Sequence, residues 1–187
     1  MLACDIGGME AYLVRGSITR GGGTMLEMAQ GDIFKAGLEE HRDLIIVFGH
    51  IGFNQIKYYW DQFRTNLREF KSISDPFVTC PDQPINYTHN GNTHYIIFVN
   101  ASKNDGMSDE TVRAALDTAL EFAHTNSLET VITNGIANTD RGTNTASHIE
   151  SDNKRVHFLI TTCVPNHVEK FKSIKLISLD DTYIRPN

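Results

Sequence analysis

Three apolar runs in this 187-residue chain lead directly into residues that can do chemistry. The run DLIIVFG ends at Gly49 and hands over to His50; HYIIFVN ends at Asn100 and is followed by Lys103 and Asp105; TVITN ends at Asn134 and opens into GIANTDRGTNTASHIE, which carries Asp140 and Arg141. A polar loop with two glycines that leaves a strand and enters a helix is where α/β proteins hold phosphates, because the amides at a helix N-terminus are unpaired donors. The backbone from Gly135 to Gly142 is therefore the candidate phosphate cradle. A histidine at a strand end facing a cleft can act as a general base near neutral pH, which makes His50 a catalytic candidate; the commoner outcome for such a residue is a hydrogen bond to loop backbone. Lys103, Asp105 and Asp140 have two readings, as site residues on neighbouring loops or as solvated loop charges.

The elements that would position these residues follow from periodicity. Ala11 to Ile18, a glycine-rich turn at Thr19 to Gly23 and a return at Thr24 to Ala29 read as a hairpin, with residues 1–23 either its first strand or an extension. Asp43 to Gly49 is a continuous apolar run suited to a strand buried on both faces. Ile56, Trp60, Phe63, Leu67 and Phe70 recur at steps of four and three, so Asn54 to Phe70 is expected to be a helix with those residues in the core. Ser72 to Gly91 holds Pro76, Pro81 and Pro84 and reads as an irregular excursion with one short strand at Phe77 to Thr79. His94 to Asn100 is a strand. Ser108 is placed to cap the following helix, whose inner face is Val112, Ala115, Leu116, Ala119, Leu120 and Ala123. Thr130 to Asn134 and Val156 to Thr162 are further strands, separated by the glycine-containing loop and a short helix at Thr143 to Glu150. A last helix around His167 to Phe171 leads to a strand at Lys175 to Leu179. Strands alternating with helices imply a single α/β domain with a mostly parallel sheet covered on both faces and a hairpin at its start. Ligands bind such sheets beyond the carboxyl ends of the strands, which aligns Gly49 to Asn54, Asn100 to Gly106 and Gly135 to Gly142 along one edge.

Composition narrows the function classes. With 40% apolar and 21% charged residues the chain can bury a proper core, and a net charge of −6 argues against a phosphate-neutralising nucleic-acid binder. Cys4, Cys80 and Cys163 are scattered without a CxxC pair, which indicates neither a disulfide framework nor a cysteine zinc site and fits a reducing cytoplasm. The histidines lack metal-ligand spacing, and no segment approaches the roughly 20 apolar residues a membrane span needs. No metal, cofactor or membrane partner is expected.

MLEMAQGDIFK, from Met25 to Lys35, resembles the opening of a macro domain, the ADP-ribose-binding fold, in which a strand ends in Gly-Asp-Ile. The order of elements from residue 25 to about 180 is similar to the layout of that family, a three-layer fold with a mixed, mostly parallel sheet. Within it, HYIIFVNASKND, the helix from Ser108, ETVITNG and IANTDRG resemble the branch containing the terminal ADP-ribose protein glycohydrolase. The resemblance implies that Asp32, with Ile33 beside it, holds the adenine amino group. It also implies that Lys103 or a neighbour is a nucleophile toward the ribose C1 and that Asp140 assists in acid/base chemistry. A lysine attacks only when neutral, so burial or a nearby cation would have to lower its pKa while the carboxylate exchanges the proton.

One segment departs from the family. Where most macro domains carry an asparagine pair and a run of glycines, this chain has FGHIGFNQIKYYW, keeping Gly49 and Gly52 but placing His50 near the usual asparagine and bulky residues where glycines belong. A residue with a Cβ cannot copy every glycine conformation or close approach. Asn54 either replaces the lost polar contact or caps the helix that starts there. The ligand-binding set implied is Asp32, Ile33, Gly49, Gly52, Asn54, Gly135, Ile136, Ala137, Asn138, Thr139, Arg141 and Gly142. The expected activity is hydrolysis at the distal ribose of ADP-ribosylated substrates or ADP-ribose derivatives, including the 1''-phosphate. The alternatives are a non-catalytic ADP-ribose or nucleotide module and a diverged protein-interaction domain.

Overall fold

The computed structural model describes residues 3–6, 9–14, 17–19, 25–30, 33–49, 54–100, 108–134 and 167–178. Among the described residues nine strands form one sheet: β1 (Ala3–Ile6), β2 (Met9–Val14), β3 (Ser17–Thr19), β4 (Met25–Gln30), β5 (Leu44–Gly49), β6 (Ile85–His89), β7 (Asn92–Asn100), β8 (Thr130–Asn134) and β9 (Ser173–Ser178). Their spatial order is β1-β2-β3-β4-β9-β8-β5-β7-β6. The five strands from β4 to β7 in that order are parallel to their neighbours, while β1 to β4 form an antiparallel meander and β6 adds antiparallel to the far edge. The α/β, mostly parallel expectation holds; the expected single strand from Ala11 to Ile18 is instead divided between β2 and β3, which pair antiparallel with Leu13 opposite Ile18, and the short β3, including Thr19 of the expected turn, forms the hairpin with β4.

Helices cover both faces. On one side α4 (Asp109–Thr125) packs Val112, Leu116, Ala119, Leu120 and Ala123 onto Leu44, Ile46, Phe48, Ile97, Val99 and Val131. The residues of β5 alternate in direction, so Ile45 and Val47 face the opposite layer with Ile96, Phe98 and Ile132. There they meet α1 (Ile33–Glu39) and α2 (Asn54–Asn66) through Ile33, Phe34, Trp60 and Phe63. Trp60 is fully buried, its ring edge-on to Phe70 at 5.5 Å and to Phe98 at 5.0 Å, so the aromatic face of this helix is core.

Four local choices explain element ends. Ser108 caps α4 by accepting the Thr111 amide at 3.2 Å, with Asp109 and Glu110 in the first turn beside the positive end of the helix dipole. Asp43 accepts from the Glu129 and Thr130 amides and the Thr130 hydroxyl, each at 2.9 Å, and so ties the start of β8 to the start of β5. Phe77 to Thr79, expected as a strand, lies instead in the helical turn α3 (Pro76–Thr79), because Asp75 accepts the Phe77 and Val78 amides and Pro76 presets the first helical residue. The polar stretch before Asn92 contains β6, returned through Asn90 (φ +51) and Gly91 (φ +81), whose positive φ angles suit a tight hairpin.

The helix expected to run to Phe70 ends at Asn66, and a 3-10 turn at Arg68–Phe70 carries Phe70 into the core. The expected last helix is α-helical at His167 and passes into a 3-10 turn at Val168–Lys170. α1 occupies Ile33–Glu39, where the hairpin reading ended. The helix at 143–150 and the strand at 156–162 lie outside the described residues. Among the described residues no helix is long and apolar enough to cross a membrane.

Candidate functional site

The five parallel strands end at Gln30, Gly49, Asn100, Asn134 and Ser178, four polar residues and a glycine along one edge of an otherwise apolar sheet. Within that edge the chain's path singles out one gap. After β5 the chain goes toward β6 and β7 on one side, and after β8 it goes to β9 on the other, so β5 and β8 are adjacent strands whose exits diverge. Open α/β sheets take their ligands at the carboxyl ends of the strands where the order reverses in this way.

The hydrogen bonds show how this edge is held. β5 pairs with β7 through to Gly49 opposite Asn100, and β8 pairs with β9 through to Asn134 opposite Ile177. Between β5 and β8 the ladder stops earlier, at Ile46 opposite Thr133. Beyond that point the Asn134 side chain replaces the missing ladder: its Oδ1 accepts the Phe48 amide and its Nδ2 donates to the Phe48 carbonyl, both at 2.7 Å. A side-chain amide thus satisfies both buried backbone groups of Phe48 where the backbone pairing of β5 with β8 has ended. Asn134 is itself buried.

The expected site residues fall around this gap to different degrees. Gly49 is the last residue of β5, buried and paired with Asn100. Ile33 is the buried first residue of α1, and Asn54 is the first residue of α2. Asp32, His50, Gly52, Lys103, Gly135, Ile136, Ala137, Asn138, Thr139, Asp140, Arg141 and Gly142 lie outside the described residues. In the chain His50 directly follows Gly49, and Gly135 directly follows Asn134. The strand ends therefore launch two of these segments from the two walls of the gap.

The opposite, amino end of the sheet is built for stability. Arg42, at the entrance to β5, bonds Glu40 through Nη2 at 2.7 Å and Nε at 3.1 Å, reaches Glu27 of β4 at 3.7 Å and donates to Ser173 of β9. Lys175 closes the network onto Glu40 and Glu27. Burial opposes ionisation of Glu40, yet hydrogen bonds from Lys175 and Arg42 outweigh it and hold the carboxyl below its ordinary range. Beside this network His94 Nδ1 donates to the Arg42 carbonyl at 2.7 Å, which fixes its tautomer because a carbonyl can only accept. Tyr87, stacked on His94, has its phenol pushed up by burial and belongs to the core. Among the described residues no group of three or more His, Cys, Asp or Glu side chains could hold a metal ion.

Sequence reading passed over Asn134 as a site residue, although a polar residue closing an apolar strand just before a glycine was its visible signal. It also passed over Asp82, which the structure brings to the carboxyl half of β7 through a 3.0 Å bond from its amide to the Phe98 carbonyl.

Neither the protein-family models nor the curated proteins contain a match to this chain. Solved structures do share the fold. A mutant of the Oceanobacillus iheyensis macrodomain with ADPR aligns with a TM-score of 0.53 at 13% identity, covering 89% of this chain and 93% of that one. The Trypanosoma brucei macrodomain in complex with ADP-ribose gives 0.54 at 10% identity, covering 84% of this chain and 67% of that one. The macro domain of ganglioside induced differentiation associated protein 2 gives 0.51 at 12% identity, with 87% and 81% covered. At these identities the shared property is the macrodomain fold.

Proposed function

We propose that this macrodomain-fold chain binds ADP-ribose across the carboxyl edge of its sheet and hydrolyses linkages at the distal ribose. The observation that carries the reading is the end of the β5–β8 ladder, where the Asn134 side chain replaces backbone pairing to Phe48 just before the polar, glycine-containing sequence that begins at Gly135. Two of the similar structures hold ADPR or ADP-ribose on the same fold, which supports that ligand class here.

In this reading the ligand lies along the strand order. Adenine sits beyond β4, held by Asp32 after Gln30. The diphosphate lies over the gap, on backbone amides of Gly135 to Gly142 and beside Gly49, Gly52 and Asn54. The distal ribose reaches the end of β7, where Lys103 follows Asn100. From β4 to β7 is four strand spacings, about 19 Å. A neutral Lys103 amine attacks the ribose C1, the bond to the acceptor breaks, and Asp140 shuttles the proton; water then releases ADP-ribose and restores the amine. His50, which follows Gly49 in the chain, is the second proton-transfer candidate. The glycohydrolase type of reaction, rather than removal of a 1''-phosphate, is favoured by the Asp140-Arg141 pair and Lys103 in the matching segments.

The discriminating experiment is turnover of an ADP-ribosylated protein by the wild-type chain and by Asp140→Ala and Lys103→Ala. Loss of release with binding retained supports hydrolysis. A specific observation favours a second reading, a binding module without catalysis: His50, Ile51 and Phe53 stand where most macro domains carry the asparagine pair and glycines. That reading predicts that the two substitutions change affinity only, with no release by the wild type.

A further inference from the structure

Beyond β7 the sheet has a changing border. β6 covers the edge of β7 from Asn92 to Ile96, and past that point Pro81 bridges to Phe98 in parallel while the Asp82 amide bonds the Phe98 carbonyl. Pro81 and Asp82 therefore stand one strand position outside β7, close to the carboxyl end that leads to Lys103. Asp82 is held at φ +54, a left-handed conformation disfavoured for residues with a Cβ, although Asp is among those that adopt it most readily. Its side chain reaches solvent, yet desolvation raises its carboxyl above the ordinary value, and among the described residues no cation is paired with it. Val78, one turn of chain earlier, exposes 76% of its surface.

These observations coincide with a chemical requirement of the proposed function, on which the inference rests. If adenine lies over β4 and the diphosphate over the gap at β8 and β5, the group joined to the ribose C1 departs outward past β7. The border it meets is Pro81 and Asp82, about one strand spacing of roughly 5 Å farther out. A partly desolvated carboxylate without a counter-ion is a poor structural element and a good receptor for a cation supplied by a ligand. We propose that Asp82 is an acceptor-recognition residue, pairing with a lysine or arginine that flanks the modified residue of an ADP-ribosylated basic peptide. Asp82 acts on specificity, leaving the bond-breaking to other groups. Since only the ionised carboxylate pairs, preference for the basic peptide grows as pH rises through the elevated pKa of Asp82 and is lost below it.

The test uses three ligands: free ADP-ribose, an ADP-ribosylated peptide with flanking lysines, and the same peptide with those lysines changed to glutamine. Titrations are made on the Asp140→Ala chain, which keeps the peptides intact, with and without Asp82→Asn. The expected result is a roughly fivefold preference for the lysine peptide that Asp82→Asn abolishes, with free ADP-ribose bound equally by both proteins. Asp82→Lys should turn the preference toward a peptide with flanking glutamates, which a folding defect would not do. An unchanged lysine preference in Asp82→Asn, or none in its parent, overturns the inference while leaving ADP-ribose binding standing. Failure of the unsubstituted chain to bind free ADP-ribose overturns the functional reading and this inference with it.

Discussion

Asn134 carries two demands at once, and replacing it by Leu separates them. The substitution keeps approximate volume but removes both the acceptor for the Phe48 amide and the donor to its carbonyl. Those backbone groups have no β8 ladder partner, because the pairing of β5 with β8 ends at Ile46 opposite Thr133. Leaving one buried polar group unsatisfied costs about 1–3 kcal/mol, so two give about 2–5 kcal/mol after partial relaxation. Against a typical total of about 5–15 kcal/mol this is a large fraction. Urea unfolding followed by circular dichroism should show a midpoint shift of that size with an unchanged slope. Asn134→Asp is the informative companion: it still accepts the Phe48 amide but faces the Phe48 carbonyl with an oxygen, so it should be destabilised as well. A loss below about 0.5 kcal/mol for Asn134→Leu would refute the reasoning, since it would mean that β5 and β8 reclose their ladder without the side chain and that no gap is being held.

Gly37 lets α1 lie close on β5: a Cβ there would stand 2.8 Å from Ile45 Cγ1 and closer still to its Cδ1. Gly37→Ala should therefore destabilise by about 1–3 kcal/mol through overpacking, despite the better helix propensity of alanine, and thermal denaturation checks it. Glu40 has a folded pKa depressed below its ordinary 4.5, so the stability it contributes is fully present above that value and is lost as pH falls through the folded one. Unfolding midpoints across the acid range should fall less steeply for Glu40→Gln than for the wild type; parallel profiles would show that Lys175 and Arg42 do not act through the carboxylate. Ser108→Ala removes the cap of α4 and should cost about 1 kcal/mol by chemical denaturation, with no change in ligand affinity.

What could be read from the residues was the apolar framework. β5 and β8 are short apolar runs between polar boundaries, and the buried faces of α2 and α4 recur at helical spacing, so periodicity alone placed them. α1 escaped because it is seven residues long with a glycine inside, and its stability comes from packing Ile33 and Phe34 into the second core layer. α3 and β6 were lost in a proline-rich stretch, although Asp75-Pro76 is a helix-start signal and Asn90-Gly91 a hairpin signal. For the site, the residues that would do chemistry were legible only as types following strand ends. The role of Asn134 was not legible, because it depends on which strands become neighbours and where their ladder stops.

The central claim is that the carboxyl edge around the β5–β8 gap receives ADP-ribose. Calorimetric titration of the wild-type chain with ADP-ribose, with AMP as the control, tests it most directly. Saturable binding of ADP-ribose, tighter than that of AMP, is the predicted result; no heat with ADP-ribose and no competition between the two would contradict the account and leave a macrodomain fold without its nucleotide.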